Sequence, residues 1–349
     1  MNIQSAINAA IEKQDLSAQQ MESVMRSIMT GEVTPAQIAG FLVALRMKGE
    51  TVTEIAAAAQ VMRELATPVE VSGQHLVDIV GTGGDGAKLF NVSTASTFVA
   101  AAAGCQVAKH GNRSVSSSSG SADLLEAAGV RLDIDAAQVA HCVEQIGVGF
   151  MFALNHHGAM KHAIGPRKEL GTRTIFNMLG PLTNPAGVKN QLLGVYSREL
   201  VRPIADVLNS LNSDHVMVVH SAEGLDEISV AGETFVAELK NGKVTEYSVT
   251  PAQVGIDIAP IEQLSVADST ESLQLIKSVL GKNKSKHTPR EQAAADIIAL
   301  NAGAAIYVAG CASDWQQGVS MAQDIIASGL GLEKLNELAD FTAAIKAAE

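Results

Sequence analysis

Over the first 66 residues apolar positions recur at helical spacing between cap signals, which predicts four short helices. Ser17 to Gln20 forms a capping box ahead of Met21, Val24, Met25, Ile28 and Met29, and Gly31 ends that stripe. Thr34, Pro35 and Gln37 open the next helix, with Ile38, Phe41, Leu42 and Leu45 on its apolar face, and Thr51 with Glu54 caps the fourth. Nothing in this part looks catalytic, so it reads as a packing and dimerisation module.

Pro68 and Gly73 mark a change of rhythm, to short Val- and Ile-rich runs alternating with helices as in a parallel sheet. The expected class is α/β: a small all-helical subdomain over 1–69, then a larger α/β domain whose mostly parallel central sheet is flanked by helices. Strands are predicted at Leu76 to Val80, Gln106 to Ala108, Val148 to Ala153, Gln191 to Val195 and Val216 to Val219. Asn241-Gly242 suits a tight primed turn between Thr234-Phe235-Val236 and Val244-Thr245-Glu246. Helices follow over 290–308 and 314–328, with one more at the carboxy terminus packed on the sheet. The stretch 166–189, with Gly171, Pro181, Pro185 and Gly187, interrupts the alternation, and the lysines of 281–286 read as a solvated loop.

Two polar loops leave the first two strands. The first, Gly81-Thr82-Gly83-Gly84-Asp85-Gly86, precedes Asn91-Val92-Ser93-Thr94 at the start of an alanine-rich helix. The second is Lys109-His110-Gly111-Asn112-Arg113, followed by a serine run. Glycines let backbone N–H groups approach an anion, and a helix N-terminus adds about half a positive charge. A dinucleotide site would want an acid about 20 residues beyond the glycines, where Lys109 and His110 stand instead. A nucleotide P-loop would want Lys then Ser or Thr after the last glycine, but Gly86 is followed by Ala87 and Lys88. A loop suited to a diphosphate remains, with Asp85 inside it suggesting a bridging metal.

At 349 residues, 47% hydrophobic and 18% charged, the chain can bury a large core and divide into two domains. Only 3% of residues are aromatic and the net charge is −12, which opposes nucleic-acid binding by stacking or by phosphate attraction. Cys105, Cys142 and Cys311 are odd in number and lack C-x-x-C spacing, so neither a disulfide framework nor a zinc site is expected. Without a basic-then-apolar leader or an apolar run of about 20 residues, a soluble cytoplasmic protein with no membrane partner is expected.

Asp226-Glu227 follows the strand ending at Val219 and lies in a loop, where both carboxylates can converge; Mg²⁺ is commonly held by one or two carboxylates plus substrate phosphates. Lys109 and Arg113 form the clearest cationic pair, at the strand end where open α/β sheets bind ligands. His156 and His157 are adjacent without helical ligand spacing, so a metal site there is not implied. For His157, ligand contact and ordinary packing both stand.

Gly81-Thr82-Gly83-Gly84-Asp85, Asn91-x-Ser93-Thr94 and Lys109-His110-Gly111-Asn112-Arg113-Ser114 resemble the phosphoribosyl-pyrophosphate site of the anthranilate phosphoribosyltransferase family, and the resemblance covers nearly the whole chain. It implies substrate contacts at Gly81, Gly84, Asp85, Asn91, Val92, Ser93, Thr94, Lys109, His110, Gly111, Asn112, Arg113, Ser114, Val115, Ser116, Ser117 and Ser121. Catalytic roles fall on Gly81, Asp85, Lys109 and Asn112. Leu225-Asp226-Glu227 resembles the family's metal segment, implying that Ser93, Asp226 and Glu227 hold two Mg²⁺ ions.

Asn155-His156-His157-Gly158 and Arg167-Lys168-Glu169-Leu170-Gly171-Thr172-Arg173-Thr174 resemble the family's aromatic-acid side. There an Arg167 fork would take the carboxylate of anthranilate, with His157 and Asn112 near the ring and amine. The resemblance further implies a segment near 168–190 returning to the helical subdomain, which leaves 70–167 and 191–349 as the α/β domain, and a homodimer through the helices.

Two positions depart from the family: Leu89 stands where a threonine is common and Ser118 where many members carry lysine. A pyrimidine nucleoside phosphorylase and a non-catalytic nucleic-acid-binding relative are the rival readings. The Asn112-Arg113 segment and the aromatic-acid stretch oppose the first, and the acidic balance with the intact Asp226-Glu227 pair opposes the second.

Overall fold

The computed structural model describes residues 1–113, 119–282 and 287–345. Four helices open the chain: α1 (Ile3–Ile11), α2 (Ala18–Met29), α3 (Pro35–Lys48) and α4 (Val52–Leu65). Capping boxes at Ser17, Thr34 and Thr51 fix the starts of α2, α3 and α4, each cap stabilising its helix by about 1 kcal/mol. The Glu54 carboxylate reaches beyond its own box to accept from the Leu16 N–H at 2.8 Å and from Lys48 Nζ at 2.9 Å, tying the junctions between these helices together.

The sheet has seven strands: β1 (Leu76–Gly81), β2 (Gln106–Gly111), β3 (Val148–Phe152), β4 (Asn190–Gly194), β5 (His215–Ser221), β6 (Thr234–Lys240) and β7 (Lys243–Val249), ordered β3-β2-β1-β4-β5-β6-β7. The first five in that order run parallel; β6 and β7 add an antiparallel hairpin that turns at Asn241-Gly242. The chain builds outward from β1 to β2 and β3, then returns to add β4 on the other side. The order therefore reverses between β1 and β4, and the crevice beyond their carboxyl ends is where such sheets bind ligands.

Side-chain alternation divides the interior in two. In β5, Met217 and Val219 join the core formed with α5 (Val92–Ala102) and the helix Pro289–Val308. Val216 and Val218 face the other way, into a core shared with the opening helices and the helix Val201–Ser210. The helix Val201–Ser210 packs on β5 and β6 and on α4, and so joins the opening helices to that face of the sheet in one continuous core. The helix Lys161–Leu170 packs on α2 and α3, and Phe176–Leu179 packs on α4. The last helix, Leu330–Ala344, corrects one expectation: it packs on α5, on Ala136–Ile146 and on Trp315–Ser328, because α5 and Pro289–Val308 already cover that face of the sheet. Among the described residues no helix is long and apolar enough to cross a membrane.

Candidate active site

β1 ends at Gly81, and Gly83, Gly84 and Gly86 follow with φ of 64°, 76° and 78°, the left-handed region that side chains with a Cβ avoid. The loop is anchored to β4: Thr82 N–H donates to the Gly194 carbonyl at 2.9 Å, and Tyr196 N–H donates to Thr82 Oγ1 at 3.0 Å. Asp226 lies directly over this seam. A Cβ on Gly81 would fall 2.3 Å from Asp226 Oδ2, and one on Gly194 only 1.6 Å from the Asp226 carbonyl oxygen. Two strand-end glycines thus admit the acidic turn into the crevice.

Once there, Asp226 Oδ2 accepts from the Gly83 N–H at 2.7 Å and Glu227 Oε1 accepts from the Ser93 N–H at 3.2 Å. Residues more than 130 apart in sequence meet on the glycine loop and the first turn of α5. Burial, then the neighbouring charge of Asp85, pushes Asp226 up to about 7, and burial together with Asp226 pushes Glu227 well above the usual carboxylate range. Buried Lys109 is the cation closest to them: its Nζ donates to the Ile79 carbonyl and, at 3.4 Å, to Ser93 Oγ. Burial lowers its pKa, opposed by Asp78, Glu227 and Asp226.

Crowded acids with one lysine form a site short of positive charge, which fits Mg²⁺. No group of three or more acidic, histidine or cysteine side chains among the described residues could hold an ion unaided; Mg²⁺ is commonly held by one or two carboxylates plus substrate oxygens, and Asp226 and Glu227 are two such carboxylates.

Beyond β2 lies a second, histidine-lined region. The rings of His110 and His157 stand 5.1 Å apart and both residues are buried. Burial lowers His110 to about 3 and His157 to about 4, so both rings are neutral at physiological pH. Among the described residues their Nε2 atoms have no partner, whereas the rings bond the backbone of Gly180 and Thr183 on the returning segment. Arg167 sits 5.2 Å over the Phe176 ring and makes no ion pair among the described residues; burial alone lowers its pKa. An unpaired, partly desolvated guanidinium is poised for an external anion.

The other predicted residues fall into distinct environments. Asn91 does not cap α5; its side chain donates to the Ser119 carbonyl at 3.1 Å and accepts from Ser272 Oγ at 2.7 Å, joining the two loops. Thr94 Oγ1 donates to Ser121 Oγ at 3.1 Å. Gly111 is needed beside the Phe150 ring, which a Cβ would approach to 2.8 Å. Asn112 is exposed, its Oδ1 accepting from the Arg113 N–H.

Two predicted contacts change. Val92 is a core residue whose N–H donates to the Phe90 carbonyl, so it has neither side chain nor N–H to offer a ligand. Arg113 is exposed, pairs with Asp123 and Glu126, and lies 5.5 Å over the Phe152 ring, so its charge is already matched by protein carboxylates. Ser114, Val115, Ser116, Ser117 and Ser118 lie outside the described residues, as do 283–286 of the lysine loop. At Leu89 the backbone forms an isolated bridge with Ser265.

Sequence reasoning missed two groups. Asp78, inside β1, is fully buried; it accepts from Asn184 Nδ2 at 2.8 Å and from the His110 N–H at 3.2 Å, and burial raises it to about 6. The signal was a carboxylate within the apolar run Leu76-Val77-Asp78-Ile79-Val80. Arg173 donates to the Gly84 carbonyl and stacks 4.3 Å over Tyr196, while Arg46 of α3 donates to the Arg173 carbonyl. No spacing rule links those residues.

An anion loop at the β1/β4 switch, flanked by buried acids and a helical layer, accompanies a match to the glycosyl transferase family. Family models described as the helical bundle domain and the a/b domain of the glycosyl transferase family match residues 4–66 and 73–332. The chain is 62% identical over 342 residues to the anthranilate phosphoribosyltransferase of Cellvibrio japonicus, covering 98% of this chain and 99% of that one. Among solved structures, that of the Thermus thermophilus enzyme of the same name superposes with a TM-score of 0.90 at 44% identity, covering 97% of this chain and 99% of that one. The Saccharomyces cerevisiae enzyme in complex with PRPP and Mg superposes with a TM-score of 0.89 at 26% identity, covering 98% of each chain. The chain belongs to the anthranilate phosphoribosyltransferase family.

Proposed function

We propose that the protein transfers phosphoribose from 5-phosphoribosyl 1-pyrophosphate to the amine of anthranilate, giving N-(5-phosphoribosyl)anthranilate and pyrophosphate in cytoplasmic tryptophan biosynthesis. The observation that carries this reading is the meeting of Asp226 and Glu227 with the Gly83 and Ser93 N–H groups, which joins an anion cradle to a cation site. The helical layer over 1–69 with the return near 168–190 then forms one side of the site, and the α/β part over 70–167 and 191–349 the other.

Positive charge develops at the anomeric carbon as the diphosphate departs, so the protein's task is to stabilise the leaving group and align the amine. The Gly84 and Asp85 backbone N–H groups, the amino-terminal end of α5 and the Lys109 ammonium face the departing negative charge, while the Gly83 and Ser93 N–H groups hold Asp226 and Glu227. Ser93, Asp226 and Glu227 would hold two Mg²⁺ ions, which when bound neutralise the diphosphate and improve it as a leaving group. Arg167 takes the anthranilate carboxylate as a bidentate fork, and the neutral rings of His110 and His157 with Asn112 surround the aromatic amine. With both imidazoles unprotonated and no strong base among the described residues, the amine loses its proton after attack, to solvent.

Mixing protein, anthranilate, phosphoribosyl pyrophosphate and Mg²⁺ should release pyrophosphate in proportion to anthranilate consumed. Exhaustive chelation should abolish turnover and added Mg²⁺ restore it. Undiminished turnover after chelation would remove the metal from the reading, and phosphorolysis of thymidine without anthranilate turnover would replace the reaction altogether.

A further inference from the structure

At the amino-terminal ends of β1 and β2, opposite the strand ends that carry this site, two cysteines separated by 206 residues bring their Sγ atoms to 3.5 Å. Cys105 is buried at the junction where α5 ends and β2 begins, its N–H donating to the Ala100 carbonyl. Cys311 follows the helix Pro289–Val308, is partly exposed, and donates its N–H to the Ile306 carbonyl. The backbone of each is thus held, and the sulfurs need approach by only about 1.5 Å to reach the ~2.05 Å of a disulfide bond.

The two thiols are unlike. The Cys105 thiol donates to Cys311, which with nearby His75 lowers Cys311 to about 7, while Cys105 is pushed up. His75 is held there by its own contacts: Nδ1 lies 2.8 Å from the Ala309 carbonyl, and its carbonyl accepts from the Gln106 N–H. The third cysteine, Cys142, is buried and raised to about 11 by burial.

We propose that Cys311 and Cys105 are a peroxide-reactive dithiol, Cys311 the attacking and Cys105 the resolving sulfur, that closes reversibly to an intramolecular disulfide. The accessible member is the more acidic of the two, and the buried one lies against it in hydrogen-bond contact, the arrangement that favours reaction over inert burial. Cys311 thiolate attacks one oxygen of hydrogen peroxide; the S–O bond forms as the O–O bond breaks, sulfur is oxidised to sulfenic acid, and hydroxide leaves. Cys105 gives its proton to that hydroxide and attacks Cys311 Sγ, the S–S bond forming as the S–O bond breaks and a second hydroxide leaving, which takes up the proton that the Cys311 thiol released to solvent on ionising. Two thiols and one peroxide thereby yield one disulfide and two waters, and an external dithiol reverses the change. Because Cys105 joins α5 to β2, the bond would fasten the helix Pro289–Val308 to two elements whose opposite ends carry Ser93 and Lys109.

The test treats the full chain with dilute hydrogen peroxide, alkylates the remaining thiols and maps peptides without reduction. A Cys105–Cys311 cross-link that dithiothreitol removes, with Cys142 recovered as the alkylated thiol, is the expected result. In Cys105→Ala, dimedone should trap a sulfenic acid on Cys311. Should that variant fail to fold, the wild type still decides: Cys311 should react with iodoacetamide at neutral pH at least about tenfold faster than Cys142. Equal alkylation rates, a cross-link through Cys142, or Cys311 recovered as a free thiol after peroxide would each overturn the proposal.

Discussion

The proposed specificity for an aromatic acid rests on a single side chain, Arg167. Its guanidinium is partly desolvated, stacks on Phe176 and lacks a carboxylate partner among the described residues, so it already bears the cost of burial before any ligand arrives. A bound carboxylate would satisfy it through charge-assisted hydrogen bonds of about 1.5–3 kcal/mol. Arg167→Ala should therefore raise the KM for anthranilate by roughly 10- to 100-fold while leaving that for the sugar donor nearly unchanged. Equal increases in both constants would remove it from the anthranilate side. Arg113 contrasts with it: two nearby carboxylates already hold its charge, a pairing that a motif five residues long could not reveal.

At the scale of elements, the cradle depends on how closely an acidic turn can approach two parallel strands. Gly194 ends β4, and a methyl group there would overlap the Asp226 carbonyl oxygen, which is backbone and cannot swing aside as a side chain would. Gly194→Ala should force the turn outward, at a cost of about 1–3 kcal/mol in stability, and should lower kcat/KM for the sugar donor by at least about 100-fold. Wild-type donor kinetics in a folded variant would show that the approach of Asp226 to β4 is not needed. Gly194 illustrates what the sequence made legible and what it did not. The loops after β1 and β2 were readable because glycines, a helix start and basic residues lie within short windows, and helical and strand periods located most elements. Asp78, Arg173 and the need for Gly194 were not, because each acts through a partner distant in the chain: Asn184, Gly84 and Asp226. The last helix was placed on the sheet because its apolar stripe says that a face is buried, not what buries it.

For the whole molecule, the helical layer poses a separate question, since it leaves large apolar side chains in solvent. Ile11 at the end of α1 is 66% exposed and Met47 of α3 is 79% exposed, with Val43 one turn before Met47 on the same helix. Helices α1 and α3 pack on each other, and burying large exposed apolar groups such as these is what a self-complementary interface requires. A net charge of −12 repels a second copy elsewhere and makes an apolar face the natural point of contact. A stable dimer would bury about 800 Å² per partner, and charges introduced at its centre would be costly to desolvate. Val43→Asp combined with Met47→Asp should convert a dimer, measured by light scattering, to a monomer with unchanged circular dichroism. A wild-type chain that scatters as a monomer, or a doubly substituted chain that still dimerises, would rule out this face.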